Sequence, residues 1–274
     1  MTTFSLNLGG RLVSFDRPAI MAIINATPDS FYSGARNASA CNIEQAIADG
    51  ADILDIGACS TRPGAPDVSA DEEWQRLRPV LEAARRLSPE IPISIDTFRA
   101  DVAARALDAG ADIINDISGG LMDPEMDNVI ARTRAPYIIM HMRGTPATMQ
   151  QLTDYEPLGG VTAAVIRFLA ERINALAAKG IKDIIVDPGF GFAKTVEQNH
   201  RLLHDLPLIC KTLKRPLLAG LSRKSMFYKP LGLSPADVLP QTTAANLLAL
   251  QAGAAILRVH DPAPARSLLS LELA

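Results

Sequence analysis

Arg258 and His260 stand two residues apart in R-V-H-D (Arg258 to Asp261), a spacing that points both side chains to one side of a β-strand. Together they form a natural anion seat. The guanidinium offers paired donors, and the imidazole offers a donor whose charge can be tuned. Upstream, G-L-S-R-K-S (Gly220 to Ser225) gathers Ser222, Arg223, Lys224 and Ser225 just past an aliphatic run. Other aliphatic runs also end in a polar residue that enters a loop: Asn25, Asp55, Asp96, Asn115 with Asp116, His141 and Asp187. A buried strand gains nothing by ending in a carboxylate, amide or guanidinium unless these groups meet one another or a ligand.

Two loops have the Gly, Pro, Ser and Thr content of segments that can order over a ligand: Asn25 to Arg36 and Gly57 to Pro66. Arg36 and Arg62 supply guanidinium groups there, and Thr27, Ser60 and Thr61 supply hydroxyls. Gly189-Phe190-Gly191-Phe192 lacks both the dinucleotide spacing and the Walker lysine, and reads as a tight turn displaying two aromatic rings. His200 and His204 share a helical face, but no Glu completes H-E-x-x-H, so a solvated surface is the expectation. Cys59 shares its loop with Arg62, which could lower the thiol pKa, although no general base lies nearby in sequence.

The elements that must position these groups recur as one phrase: an Ala-rich helical stretch, a Gly, two or three aliphatics and a polar residue. It runs from Ala46 to Gly57, Ala106 to Ile117, Ala175 to Gly189 and Ala249 to Asp261. Gly50, Gly110, Gly180 and Gly253 sit where a helix C-terminus needs a left-handed residue. Further buried strands are expected at Ala19–Ile24, Ile93–Ile95, Tyr137–Met140 and Leu217–Leu221. Amphipathic stripes run through Trp74, Leu77, Leu81, Ala84 and Leu87, and through Val161, Val165, Phe168, Leu169, Ile173 and Leu176.

Eight short strands, each followed by a helical stretch, predict an α/β fold closed as a (β/α)8 TIM barrel. Every polar strand end would then converge on the C-terminal mouth. Phe4–Val13, centred on Gly9-Gly10, predicts an N-terminal β-hairpin capping the bottom. With no linker or charge block to divide it, the chain is read as one domain over residues 1–274.

Composition removes several classes of function. With 27 Lys+Arg against 30 Asp+Glu in 274 residues, the chain lacks the electrostatic footprint of a nucleic-acid or acidic-membrane binder. No apolar run approaches the ~20 residues of a bilayer span. The N-terminal MTTFSLNLGGRL carries no secretory pattern. Three scattered cysteines without a C-x-x-C pair argue for reduced thiols in a cytoplasmic protein.

The blocks taken together resemble the dihydropteroate synthase family. They are N-A-T-P-D-S-F, S-T-R-P-G, S-I-D-T, N-D-I-S-G-G, M-H-M-R-G-T-P, D-P-G-F-G-F-A-K, S-R-K-S and R-V-H-D, in the family's order from Asn25 to Asp261. The resemblance implies a pterin-binding barrel that joins (7,8-dihydropterin-6-yl)methyl diphosphate to 4-aminobenzoate, releasing diphosphate and 7,8-dihydropteroate. Asp187 would take the pterin edge, with Asp96 and Asn115 completing the pocket floor and Lys224 donating to the ring's acceptors. Arg258 would lie against the ring and reach phosphate. Asn25, Arg62, Arg258 and His260 would hold the diphosphate, and Asn25 would also ligate Mg2+. Thr61, Pro63, Phe192 and Ser225 would shape the aminobenzoate slot. The implied catalytic set is Arg62, Lys224, Asp96 and Asp187. The family also implies a homodimer, with small-molecule substrates and neither nucleic acid nor membrane as partner.

Two positions depart from the family pattern. Ser33 replaces an acidic first-loop residue, and Ala58-Cys59 replace Gly-Glu before S-T-R-P-G. A methyltetrahydrofolate–corrinoid methyltransferase would share the pterin floor but would have no use for S-T-R-P-G or R-V-H-D. A non-catalytic pterin-binding paralogue would explain the departures. Without the family, Lys224 at a strand end would suggest a Schiff-base aldolase.

Overall fold

The computed structural model describes residues 3–26, 33–59 and 68–271. Eight parallel strands form the central sheet: β3 (Ala19–Asn25), β4 (Ile53–Gly57), β5 (Ile93–Asp96), β6 (Ile113–Asp116), β7 (Tyr137–Met140), β8 (Ile184–Asp187), β9 (Leu218–Ala219) and β10 (Ile256–Val259). Their order is β8-β7-β6-β5-β4-β3-β10-β9, and a parallel bridge between Val186 and Leu217 closes the ring from β8 to β9. The (β/α)8 barrel expected from the repeated phrase is the observed fold.

Each crossover contains helix. These are α1 (Ser33–Ala48), α2 (Ala70–Leu87), α3 (Ala100–Asp108), α4 (Met126–Thr133), α5 (Val161–Ala178), α6 (Val196–His204), α7 (Leu206–Leu213), α8 (Ser225–Leu231), α9 (Leu239–Gln251) and α10 (Pro262–Leu268). Ser69 caps α2 by accepting from the Glu72 N–H, and Thr195 with Gln198 forms a reciprocal capping box on α6. The main core lies between strands and helices, where α2 buries Leu77, Leu81 and Ala84 and α5 buries Val165, Leu169 and Leu176. Leu87 departs from the expected stripe and is exposed at the end of α2.

The glycine of the repeated phrase has a positive φ at all four positions: 91° at Gly50, 99° at Gly110, 80° at Gly180 and 98° at Gly253. The Gly-Ala-Asp version does more than turn the chain. Asp52 accepts the Ile20 N–H at 2.8 Å, and Asp112 accepts the Ile93 N–H at 2.8 Å, so each supplies a rung at the start of a neighbouring strand. An arginine then pairs with each carboxylate, Arg266 with Asp52 and Arg85 with Asp112.

A hairpin of β1 (Phe4–Leu8) and β2 (Arg11–Phe15) precedes the barrel. It turns at Gly9 and Gly10, with φ of 57° and 93°, as two successive left-handed positions require. Phe4, Leu6 and Leu8 pack on Ile53, Ile113, Ile138, Ile185 and Leu218 inside the barrel. The hairpin therefore closes the bottom, and the polar strand ends lie at the opposite mouth.

Candidate active site

Strand alternation decides which polar ends enter the barrel. Arg258, third in β10, reaches into the mouth and donates from Nε to Asp55 Oδ2 at 2.6 Å and from Nη2 to Asp96 Oδ2 at 2.6 Å. Asn115 Nδ2 donates to the same Asp55 oxygen at 3.2 Å. One guanidinium thus holds two carboxylates of different strands. The second Asp55 oxygen is buried without a hydrogen-bond partner among the described residues. The Asp96 carboxyl is raised to about 7: burial pushes it up, Arg258 opposes this, and Asp55 adds to the rise. Burial alone would lower the Arg258 pKa, but Asp55 and Asp96 more than offset this and hold it above its ordinary value.

Asp116, one residue beyond Asn115, points the other way. Its oxygens accept from the Ser118 N–H and hydroxyl, the Gly120 N–H and the Tyr137 hydroxyl, each at 2.7 Å. It organises the loop after β6 and takes no part in the floor.

On the β8 side, Asp187 Oδ1 accepts the Gly189 N–H at 2.7 Å. Burial raises the Asp187 pKa, opposed by that N–H and then by Lys224, Arg258 and Lys194. Lys224 Nζ lies 4.7 Å from the centre of the Phe192 ring, a cation–π arrangement. The expectation that the G-F-G-F turn displays two rings needs correction. Phe190 is buried in the main core and only Phe192 packs with the apolar cluster at the mouth, because Gly191, at φ 82°, reverses the chain between them.

Ser222 and His260 join the last two strand ends: the Ser222 hydroxyl lies 3.0 Å from His260 Nδ1 and accepts the His260 N–H at 3.2 Å. Arg223, at φ 55°, donates twice to Asp261, from Nε at 3.0 Å and from Nη2 at 2.7 Å. This fork ties the S-R-K-S turn to R-V-H-D. Lys224 follows it as the N-cap of α8, and Ser225 is the helix's first residue.

Asn25 ends β3 with its side chain exposed at the mouth. Among the described residues no group of three or more His, Cys, Asp or Glu could hold a metal ion by itself. A lone amide oxygen nevertheless fits Mg2+, which keeps several waters and takes phosphate oxygens. Thr27, Ser60, Thr61, Arg62 and Pro63 lie outside the described residues.

Cys59 does not have the lowered thiol pKa its neighbouring arginine suggested. Burial and the adjacent Glu73 carboxylate push it up to about 12. Glu73, itself buried, pairs with Arg99, which also lies 3.7 Å from Cys59 Sγ and donates to the Val68 carbonyl. His200 and His204 are exposed on α6, His200 edge-on to Phe227 and His204 beside Asp205 at 2.9 Å.

Three features escaped the sequence reading. Asp55 was legible as a strand end, but its bond to Arg258 was not. Ile117, Met140, Met142 and Met149 form an apolar cluster at the mouth, with Phe98, Met122 and Phe192 packed against it. The methionines of M-H-M-R-G-T-P were the available signal. Lys194, last residue of D-P-G-F-G-F-A-K, is buried beside His141 with Nζ 3.1 Å from Nδ1.

Comparison with known proteins places this mouth in a family. The model of the pterin binding enzyme family matches residues 21–260. A dihydropteroate synthase of Synechocystis sp. is 47% identical over 252 residues, 89% of this chain and 86% of that protein. The Xanthomonas albilineans dihydropteroate synthase, solved with 4-aminobenzoic acid, superposes with a TM-score of 0.89 at 40% identity, covering 98% of this chain and 97% of that one. A structure of the same bacterium's enzyme in complex with 7,8-dihydropteroate gives a TM-score of 0.84 at 37% identity, again covering 98% and 97%. With its matched region spanning the barrel from β3 to His260, the chain belongs to the pterin-binding enzyme family and, within it, to the dihydropteroate synthases.

Proposed function

We propose that this protein condenses (7,8-dihydropterin-6-yl)methyl diphosphate with 4-aminobenzoate to give 7,8-dihydropteroate and diphosphate. The observation that carries the reading is a set of polar groups at one mouth, in which Arg258 and Asn115 join Asp55 and Asp96 by hydrogen bonds and Asp187 stands beside them on β8. The pterin's adjacent N–H donors match a carboxylate, and Asp187 has Oδ1 fixed by Gly189, which leaves Oδ2 for such donors. Asn115 spends its amide N–H on Asp55, which leaves its oxygen to accept from the ring. Lys224 would donate to the ring's acceptors, with its Nζ held over the Phe192 ring. Arg258 keeps Nη1 for phosphate while Nε and Nη2 secure the floor.

The reaction breaks the methylene C–O bond, and the electron pair leaves with diphosphate. The electron-rich dihydropterin spreads the positive charge left on the methylene, which favours a dissociative, cation-like route. The amine nitrogen of 4-aminobenzoate then forms the new C–N bond with its free lone pair and releases a proton. Arg258 and Arg62 would neutralise charge growing on the departing diphosphate, and His260, kept neutral because burial and then Arg258 lower its pKa to about 4, would offer a hydrogen bond. Mg2+ held by Asn25 and the diphosphate would add a Lewis-acid contribution at the same oxygens. Ser225, Thr61, Pro63 and Phe192 would frame the aminobenzoate, with its carboxylate near the Lys224–Ser225 backbone.

We also propose that the protein is cytoplasmic and, as the family resemblance implies, a homodimer. No described helix is long and apolar enough to cross a membrane. Leu208 on α7, Leu231 on α8 and Leu248 on α9 present exposed apolar surface on barrel helices.

Turnover is the test: purified protein, the pterin diphosphate, Mg2+ and labelled 4-aminobenzoate, with Arg62→Ala and Lys224→Ala alongside. Labelled dihydropteroate formed by the wild type and lost in both variants is the expected result. Binding of the pterin diphosphate without product would leave the protein a non-catalytic pterin binder.

A further inference from the structure

Lys194 is 5% exposed, yet among the described residues none of its hydrogen bonds is to a carboxylate. Its Nζ donates to the Gly189 carbonyl at 2.8 Å and the Phe192 carbonyl at 2.9 Å, and meets His141 Nδ1 at 3.1 Å. Three donors therefore meet three acceptors, with the His141 carbonyl further off at 3.4 Å. His141 fits the role of acceptor. Burial and the Lys194 charge hold its pKa down to about 2, so the ring is neutral.

Burial lowers the Lys194 pKa to about 7, against the pull of the Asp187 carboxylate, so the amine is held by its hydrogen bonds as much as by its charge, and those bonds fix a turn. Both residues whose carbonyls it grips carry site groups. The N–H of Gly189 sets Asp187 Oδ1, and the ring of Phe192 lies under Lys224 Nζ. The turn is tightly packed as well, because a Cβ at Gly189 would stand 2.1 Å from the His141 carbonyl oxygen. The Lys194 charge also acts directly on Asp187, favouring the ionised carboxylate.

We propose that Lys194 is a positioning residue: through the carbonyls of Gly189 and Phe192 it holds the Asp187 carboxylate and the Phe192 ring where the pterin and aminobenzoate must meet. The inference rests on the reading of Asp187 as the group that takes the pterin edge. It gives Lys194 no contact with substrate.

The test compares wild type with Lys194→Met, which keeps the stem and removes the donors. The probe is dihydropterin methyl diphosphate, with its Kd from calorimetry, its KM and kcat from turnover, and the folded fraction from circular dichroism. A positioning role predicts a folded variant whose Kd and KM for the pterin diphosphate rise tenfold or more. A folded variant with unchanged Kd and KM, whether or not kcat falls, overturns the proposal, since a purely structural loss would reduce active enzyme without changing affinity. Should Lys194→Met fail to fold, Lys194→Gln, whose amide nitrogen is one bond short of the Nζ position and cannot grip both carbonyls, carries the same comparison with the same decision. Wild type that binds the pterin diphosphate without turnover would refute the proposed reaction, and the Kd comparison would still decide the role of Lys194. Wild type that does not bind it would overturn both.

Discussion

Arg258 on β10 reaches past β3 to Asp55 on β4, with its Nε 2.6 Å from an oxygen of a carboxylate that has no exposed surface. The same guanidinium reaches Asp96 on β5, so one side chain links the ends of three strands. Removing one member of a buried pair leaves the other charge uncompensated, at a cost of about 3–5 kcal/mol. Asp55→Ala is therefore expected to lower the unfolding free energy by about 3 kcal/mol or more in a urea titration. An unchanged midpoint and slope would show that the pair is energetically idle.

Asp96 gives the barrel a pH dependence with a definite sign. Its carboxyl lies at about 7 in the folded protein against an ordinary 3.8, so the native state holds this proton more tightly than the unfolded chain. The contribution to stability is complete below the ordinary value and is lost as pH rises through the folded one. Asp96→Asn has no such proton to lose. Its stability relative to wild type should improve steadily between about pH 4 and pH 7. Paired denaturation curves across that range would check this, and a constant difference would count against it.

Cysteine reactivity separates two thiols. Cys59, pushed up to about 12, should stay almost wholly protonated near neutrality, whereas Cys41 is exposed on α1. Iodoacetamide at neutral pH should label Cys41 well before Cys59, as read by peptide mass spectrometry. Equal rates would mean that burial and Glu73 do not hold the Cys59 thiol protonated.

The Arg223–Asp261 fork joins two turns that carry Lys224 and His260. It is partly exposed, so its worth to stability is small, about 1 kcal/mol by double-mutant cycle. The larger effect should fall on binding. Asp261→Asn is expected to raise the KM for the pterin diphosphate several-fold with little change in melting temperature. A large loss of stability with an unchanged KM would assign the fork to folding alone.

The barrel was legible because its signals are local. A left-handed glycine followed by aliphatics marks a strand wherever it occurs, and period-2 alternation correctly places Arg258 in the mouth. The same alternation separates Asn115 from Asp116, although both were read as strand-end polar groups. What stayed hidden depends on distance in three dimensions. Arg258 and Asp55 are separated by 203 positions, and Lys194 and His141 by 53. Phe190 and Phe192 look equivalent in sequence, but the reversal at Gly191 sends one ring into the core and the other to the mouth. Glu73 carried no motif, yet from another element it adds to the effect of burial in raising the Cys59 thiol pKa.

The ring closes unevenly. β9 has only two residues, and its link to β8 is one bridge, Val186 with Leu217, supported by the Val186 N–H donating to the Pro216 carbonyl at 3.0 Å. Asp187 stands on one side of this join, and the turn carrying Lys224 stands on the other. A pterin held by both would span the seam and act as the rungs that the short strand cannot provide. Substrate would then be part of the barrel's wall, and backbone amides on either side of the join should gain the most protection from hydrogen exchange when it binds.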